Sequence, residues 1–235
     1  MKKISLFSMF AAALALGALA PAAQATAIST TIQLSQLYAG SAPDGGSPWL
    51  KAMFTSSTGS TTGTLTLKSN LKQSDFVKGQ DGPNTATGWS FYLNETLASW
   101  SCATGGACAS GVSTAPISKA GPVHSPFNLT FGWTSGNRFD GTDSATYTLT
   151  FGSALTGDPF AANGSGWWSV AHVQGIGPSA NCSGWIVSGN GTLPTTGFET
   201  CGEPPTNVPE PTNLGMFGIG LLAIGLFLGL RRRVV

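Results

Sequence analysis

The chain predicts an all-β fold, an antiparallel β-sandwich of jelly-roll-like character over residues 28–203. Period-two alternation recurs along this stretch, turn sequences separate the alternating runs, and no segment of helical length carries a 3.6-residue apolar period. Residues 28–37 open the series. Leu50, Ala52 and Phe54 share one side of the next run, and Leu65 and Leu67 alternate with threonines. Trp89, Phe91 and Leu93 repeat the pattern. Phe127, Leu129, Phe131 and Trp133 alternate with Asn128, Thr130 and Gly132, as Ala145, Tyr147, Leu149 and Phe151 do with Thr146, Thr148 and Thr150. Residues 166–174 and 183–187 bring the expected total to about eight strands, each with one apolar and one wet face. Pro43-Asp44-Gly45-Gly46, Asp81-Gly82-Pro83, Gly141-Thr142-Asp143, Asn163-Gly164 and Asn190-Gly191 supply the turns.

Residues 28–207 contain six basic and nine acidic residues, a net charge of −3, although the whole chain is +1. The difference comes from lysines and arginines at the two ends. No basic patch remains to neutralise phosphates, so nucleic acid is excluded as a partner. All seven tryptophans lie in this body, which argues against a disordered chain despite its wealth of Gly, Ser and Thr.

The N-terminus has the layout of a secretory signal peptide, residues 1–27. Lys2 and Lys3 precede an apolar stretch over residues 6–19, then Pro21 and small-residue cleavage sites after Ala25 and after Ala27. Export places the body outside the cytoplasm. At the other end, residues 204–213 form a Pro-rich linker containing Val208, Pro209, Glu210 and Pro211. The two prolines hold Glu210 in extended geometry. Residues 214–230 are 17 uncharged residues. As a helix they span about 26 Å, near the lower limit for a hydrocarbon core of about 30 Å. Arg231, Arg232 and Arg233 complete the span by snorkelling and favour a cytoplasmic tail over residues 231–235.

Motif, span and arginine cluster, in that order at the end of a chain, resemble the PEP-CTERM sorting signal of bacterial surface proteins. The resemblance implies that an exosortase is the processing partner and that it reads Pro209, Glu210 and Pro211. The body carries a second resemblance. Pro48-Trp49-Leu50, the Thr/Gly-rich pair over residues 63–71, Trp89-Ser90-Phe91-Tyr92-Leu93-Asn94, Ala171-His172-Val173-Gln174-Gly175-Ile176 and Ser183-Gly184-Trp185-Ile186 resemble the body common in PEP-CTERM proteins. That match implies fold and placement, not an activity.

Four cysteines in an exported chain predict two disulfides. Of three connectivities, the local one is simplest: Cys102 with Cys108, and Cys182 with Cys201. Catalytic groups are scarce. There is no GxSxG elbow, HExxH motif, P-loop or strand-linked GxGxxG, and no cofactor is implied. His124 falls in a turn, and His172 falls in a strand beside Trp167 and Trp168. Asp140 and Asp143 share a loop with Asn137, a weak match to a calcium site. Loop aspartates more often shape turns. Trp167 and Trp168 are adjacent, so in a strand one ring must leave the core. It either packs under a loop or forms a platform for a sugar.

These observations predict a non-catalytic surface or extracellular-matrix protein, exported across the inner membrane and anchored in it by the C-terminal helix. After processing it would reach the cell surface or medium. Its expected partners are the exosortase, the membrane and exopolysaccharide or envelope. The alternatives are a carbohydrate-binding module and a secreted hydrolase.

Overall fold

The computed structural model describes residues 24–201, apart from 73, 78, 80–87, 118, 119 and 200. The expected leader core, sorting motif, membrane helix and basic tail therefore lie outside the described residues, as does the Asp81-Gly82-Pro83 turn. Among the described residues no helix is long and apolar enough to cross a membrane. The body is all-β, two antiparallel sheets packed face to face.

The first sheet contains β1 (Ala27–Leu34), β3 (Leu50–Ser57), β4 (Thr62–Ser69), β11 (Ser144–Phe151) and β7 (Leu97–Cys102). Their order across the sheet is β1-β3-β4-β11-β7. In β4 and β11 alternation becomes one-sided burial, since Leu65, Leu67, Tyr147 and Leu149 are buried while Thr64 and Thr148 are exposed. Tyr147 is opposite Leu65, and Leu65 is opposite Phe54, so the register gathers the apolar side chains on one face.

The second sheet is organised on β12 (Trp167–Ile176). One edge of β12 pairs with β13 (Cys182–Gly189), beyond which lies β2 (Gln36–Gly40). The other edge pairs first with β5 (Phe76–Val77) and then with β6 (Trp89–Phe91). β10 (Phe139–Asp140) continues from β5, while β9 (Leu129–Gly132) and β8 (Gly111–Ser113) continue from β6. Between the sheets Trp89, Phe91, Phe131, Tyr147, Phe54 and Phe160 form a continuous aromatic core.

The expectation of one wet face holds for the first sheet but not for the centre of the second. All three residues of β6 and all four of β9 are buried. Residues 114–117 and 120–128 fold over the outer face as a second layer, and Ile117, Val123 and Phe127 pack there with Trp167, Val170 and Val187. The hydroxyls that alternation assigned to solvent are hydrogen-bonded internally instead. Ser90 and Thr130 share a bond of 2.8 Å, and the Ser169 hydroxyl donates to the Ser90 carbonyl while accepting from the Trp89 indole, each at 2.8 Å. At the tip of this segment Gly121 has φ +58, with the Trp185 ring where a side chain would stand.

One buried acid ties a loop to the second sheet. Asp75 is fully buried, and its Oδ2 accepts the Asp44 amide at 2.7 Å. Burial pushes its carboxyl above the usual value of 3.8, the Asp44 amide opposes the shift, and the charge of Asp44 adds to it. The folded protein therefore holds a proton that the unfolded chain has already lost, and stability falls as pH rises through that window. Asp75→Asn keeps an acceptor for the Asp44 amide and removes the cost of ionisation. Urea midpoints at about pH 4 and pH 7 should show a flatter pH response for the variant and a higher midpoint at the upper pH. A variant weaker than wild type at pH 7 would show that the ionised carboxylate stabilises the fold.

Candidate ligand groove

β12 begins with an irregularity that separates its two tryptophans. The register with β13 shifts between Trp167 and Ser169, leaving Trp168 as an extra residue in the ladder. Such a bulge re-aims side chains. Trp167, 2% exposed, packs in the outer layer with Ile117, Val123 and Phe127, its ring edge-on to Tyr38 at 5.7 Å. It is the ring that leaves the main core, and a loop covers it. Trp168 is half-buried, rests against the main core and lines a cleft at the sandwich edge.

Asn163 holds this turn in place. Its Oδ1 accepts the amides of Ser165 and Trp167 at 3.1 and 3.0 Å, and its Nδ2 donates to the Pro126 carbonyl at 3.1 Å. The side chain thereby pins the start of β12 to the covering loop. Although Asn163 opens an Asn-X-Ser sequence, it is 5% exposed and occupied structurally.

The cleft has a volume of about 360 Å³. One wall is β1 and its exit, from Thr30 to Gln33 with Ser35 and Gln36; the other is Trp168 with Ser188, Gly189 and Asn190. Gln36 Nε2 donates to the Gly189 carbonyl at 3.4 Å, bridging the two walls. Behind Thr30 lies Asp158, whose Oδ2 accepts the threonine hydroxyl and whose Oδ1 accepts the Phe160 amide at 3.0 Å. Asp158 thus ties the edge strand to the segment before β12. No lining side chain is charged, and hydroxyls and amides surround a single indole.

The other residues singled out in the sequence are placed elsewhere. Cys102–Cys108 and Cys182–Cys201 are disulfide-bonded, with Cα–Cα separations of 6.0 and 6.1 Å. The first closes a loop beside β7. The second joins the start of β13 to the last described residue. Asn137 donates its amide to the Cys108 carbonyl at 3.0 Å, and Asp143 Oδ2 accepts the Asp140 amide at 3.0 Å. Asp143 thus shapes the turn that precedes β11, while Asn137 ties its own turn to the Cys102–Cys108 loop. Burial, followed by the neighbouring Asp143 charge, pushes the Asp140 carboxyl up, while Arg138 draws it down. Among the described residues no group of three His, Cys, Asp or Glu side chains gathers as a metal site. His172 is buried with its ring stacked on that of Trp185 at 4.3 Å, and His124 is exposed.

No family model matches this chain, and neither a curated protein nor a solved structure matches it.

Sequence reasoning reached Trp168 but not the residues that line the groove with it. Thr30, Gln33, Gln36 and Ser188 come from strands that alternation assigns to the sheet alone, and only the Asn190-Gly191 turn carried a local signal. Asn163→Ala should lower stability by about 2–3 kcal/mol, because it orphans buried backbone donors. Asn190→Ala, at an exposed turn, should stay within about 0.5 kcal/mol. Urea denaturation of the full chain in detergent measures both; equal effects would remove Asn163 as the organiser of the groove's aromatic wall.

Proposed function

We propose that this chain is an exported, non-catalytic surface or extracellular-matrix protein of a bacterium, sorted by an exosortase and associated with exopolysaccharide or envelope. The reading includes the signal peptide, the C-terminal membrane helix and a jelly-roll-like sandwich between them. It rests on one observation: the uninterrupted order of Pro209-Glu210-Pro211, the uncharged run over residues 214–230 and Arg231-Arg232-Arg233.

The way the body ends supports this reading. The Gly40 amide donates to the Gly197 carbonyl, and the Glu199 amide donates to the Gly40 carbonyl, both at 2.9 Å. The Ser41 hydroxyl donates to the Glu199 carbonyl at 2.8 Å, and Cys201 is bonded to Cys182. The last described segment is therefore fastened along the free edge of β2. Pro209 follows Cys201 by eight residues. An extended chain of that length reaches about 26–29 Å. A membrane enzyme could read the motif without unfolding the sheet.

At the other end, the Thr26 amide donates to Thr58 Oγ1 and the Thr26 carbonyl accepts the Thr58 amide, each at 2.8 Å. Leader cleavage after Ala25 preserves both bonds, whereas cleavage after Ala27 removes them with the first residue of β1. N-terminal sequencing of the exported protein should therefore begin at Thr26. A mature chain beginning at Ile28 would show that this rung is dispensable.

Replacing Pro209, Glu210 and Pro211 together by alanine changes no residue of the described body. In the native host the variant should be exported but accumulate uncleaved in the membrane, at the mass of body plus tail. Identical masses and membrane fractions for wild type and variant would make residues 208–235 a plain anchor.

A further inference from the structure

The groove at the sandwich edge has the chemistry of a sugar site. We propose that it binds an uncharged saccharide unit, one ring face on Trp168 and the ring hydroxyls on Gln33, Ser188 and Asn190. This deepens the polysaccharide-associated reading and rests on it for the class of ligand.

Three features of the groove carry the assignment. Its volume of about 360 Å³ lies in the range of small-molecule sites, about 300–1,000 Å³. Its lining places one half-buried indole among hydroxyls and amides. A pyranose has that same division, with axial C–H groups on its faces and hydroxyls around its rim. An indole covers the face, and amides both donate to and accept from the rim.

The edge of β1 adds backbone groups. The Thr58 amide donates to the Thr26 carbonyl, and the β1–β3 register steps from Ala27 opposite Ser57. Even-numbered residues of β1 therefore turn their backbone groups toward β3, while Thr31 and Gln33 turn theirs to the sheet's free edge, on the groove side. Hydroxyls satisfy such scattered donors and acceptors well. An extended peptide would also pair with a free strand edge, but a strand of five or six residues needs about 17–20 Å. The groove's volume of about 360 Å³, at the lower end of the small-molecule range, suits a saccharide unit rather than a segment of that size.

Charge selects among sugars. No basic side chain lines the groove, and Lys51 stands opposite Gln33 on β3 without lining it. The Asp158 carboxylate sits directly behind Thr30. An anionic uronic acid would find no cation there and one nearby negative charge, so the neutral ligand wins. The position also suits a polymer outside the cell. β13 runs from the Cys182 clasp to Gly189 at the groove, about 24 Å at strand rise, so the groove opens at the end of the body away from the tail's attachment.

The test is isothermal titration of the full chain in detergent with neutral hexasaccharides of glucose, mannose and galactose, and with an alginate hexasaccharide. At least one neutral ligand should bind and alginate should not. Trp168→Ala should weaken binding by about tenfold or more. Asn190→Ala and Gln33→Ala should each weaken it by about fivefold with unchanged urea midpoints, which keeps the test independent of any packing lost with the indole. Trp100→Ala, at an exposed ring on β7, should leave affinity unchanged. Absence of neutral-sugar binding, alginate binding of equal strength, competition by an extended peptide, or indifference to Asn190→Ala and Gln33→Ala would each overturn the proposal. The Pro-Glu-Pro variant should bind as wild type does, so a failure of sorting and a failure of binding remain separate results.

Discussion

β12 is hydrogen-bonded along both edges and covered on both faces, and each of these four boundaries positions another part of the molecule. Its inner face supplies Ala171 and Val173 to the main core; its outer face supplies Trp167 and Val170 to the layer formed with Ile117, Val123 and Phe127. The bulge at its start resets the alternation, so that Trp167 and Val170, three residues apart, both face the outer layer, which a regular strand would not allow. Trp168, the extra residue, is left against the main core at the rim. A groove with an aromatic wall is thus a by-product of packing the central strand, and Asn163 is the side chain that holds the arrangement.

Burying a strand on both faces is costly when the chain is rich in serine and threonine, because each hydroxyl removed from water must find a partner. The protein meets this demand with short exchanges between neighbouring strands, such as Ser90 with Thr130 and Ser169 with Trp89. The same rule governs the core's large polar rings. The Tyr147 hydroxyl accepts the Ala109 amide at 2.7 Å, and Trp133 Nε1 donates to the Ala107 carbonyl at 2.9 Å. One bond ends within the loop closed by Cys102–Cys108 and the other on the residue that follows it. That small loop therefore caps aromatic residues of both sheets, although its own residues are largely exposed. Ion pairs contribute little by comparison; Lys72 and Asp44 approach at 4.0 Å on the surface.

Strands that face water on one side were legible before folding. Those of the first sheet, β3, β4 and β11, repeat their alternation over five or more residues, and their boundaries follow it closely. β5, β8 and β10 have two or three residues, too few for a period to show, and they exist because neighbouring long strands offer an edge. β7 was hidden for a different reason. Its residues are mostly exposed at the sheet margin, so burial imposed no pattern on Leu97, Ala98, Ser99 and Trp100. The run over residues 28–37 reads as one strand but divides at Ser35, after which β2 joins the opposite sheet. That change of sheet brings Gln33 and Gln36 beside Trp168. The groove was illegible in the sequence because its two walls are more than one hundred residues apart and meet only through this crossing.

The crossing also sets the polarity of the body. β2 pairs with β13 from Val187 to Gly184, so the two strands share both ends. At one end Gly40 receives the chain's last described segment and Cys182 receives Cys201; at the other, Gln36 reaches the Gly189 carbonyl and closes the groove. Tension applied through the C-terminal tail would enter at the disulfide and the backbone bonds of Gly40. It would be spread along β13 into β12 before reaching the groove. The fastening and the groove therefore lie at opposite ends of the β2–β13 ladder, whose pairing is interrupted once, between Trp185 and Ile186.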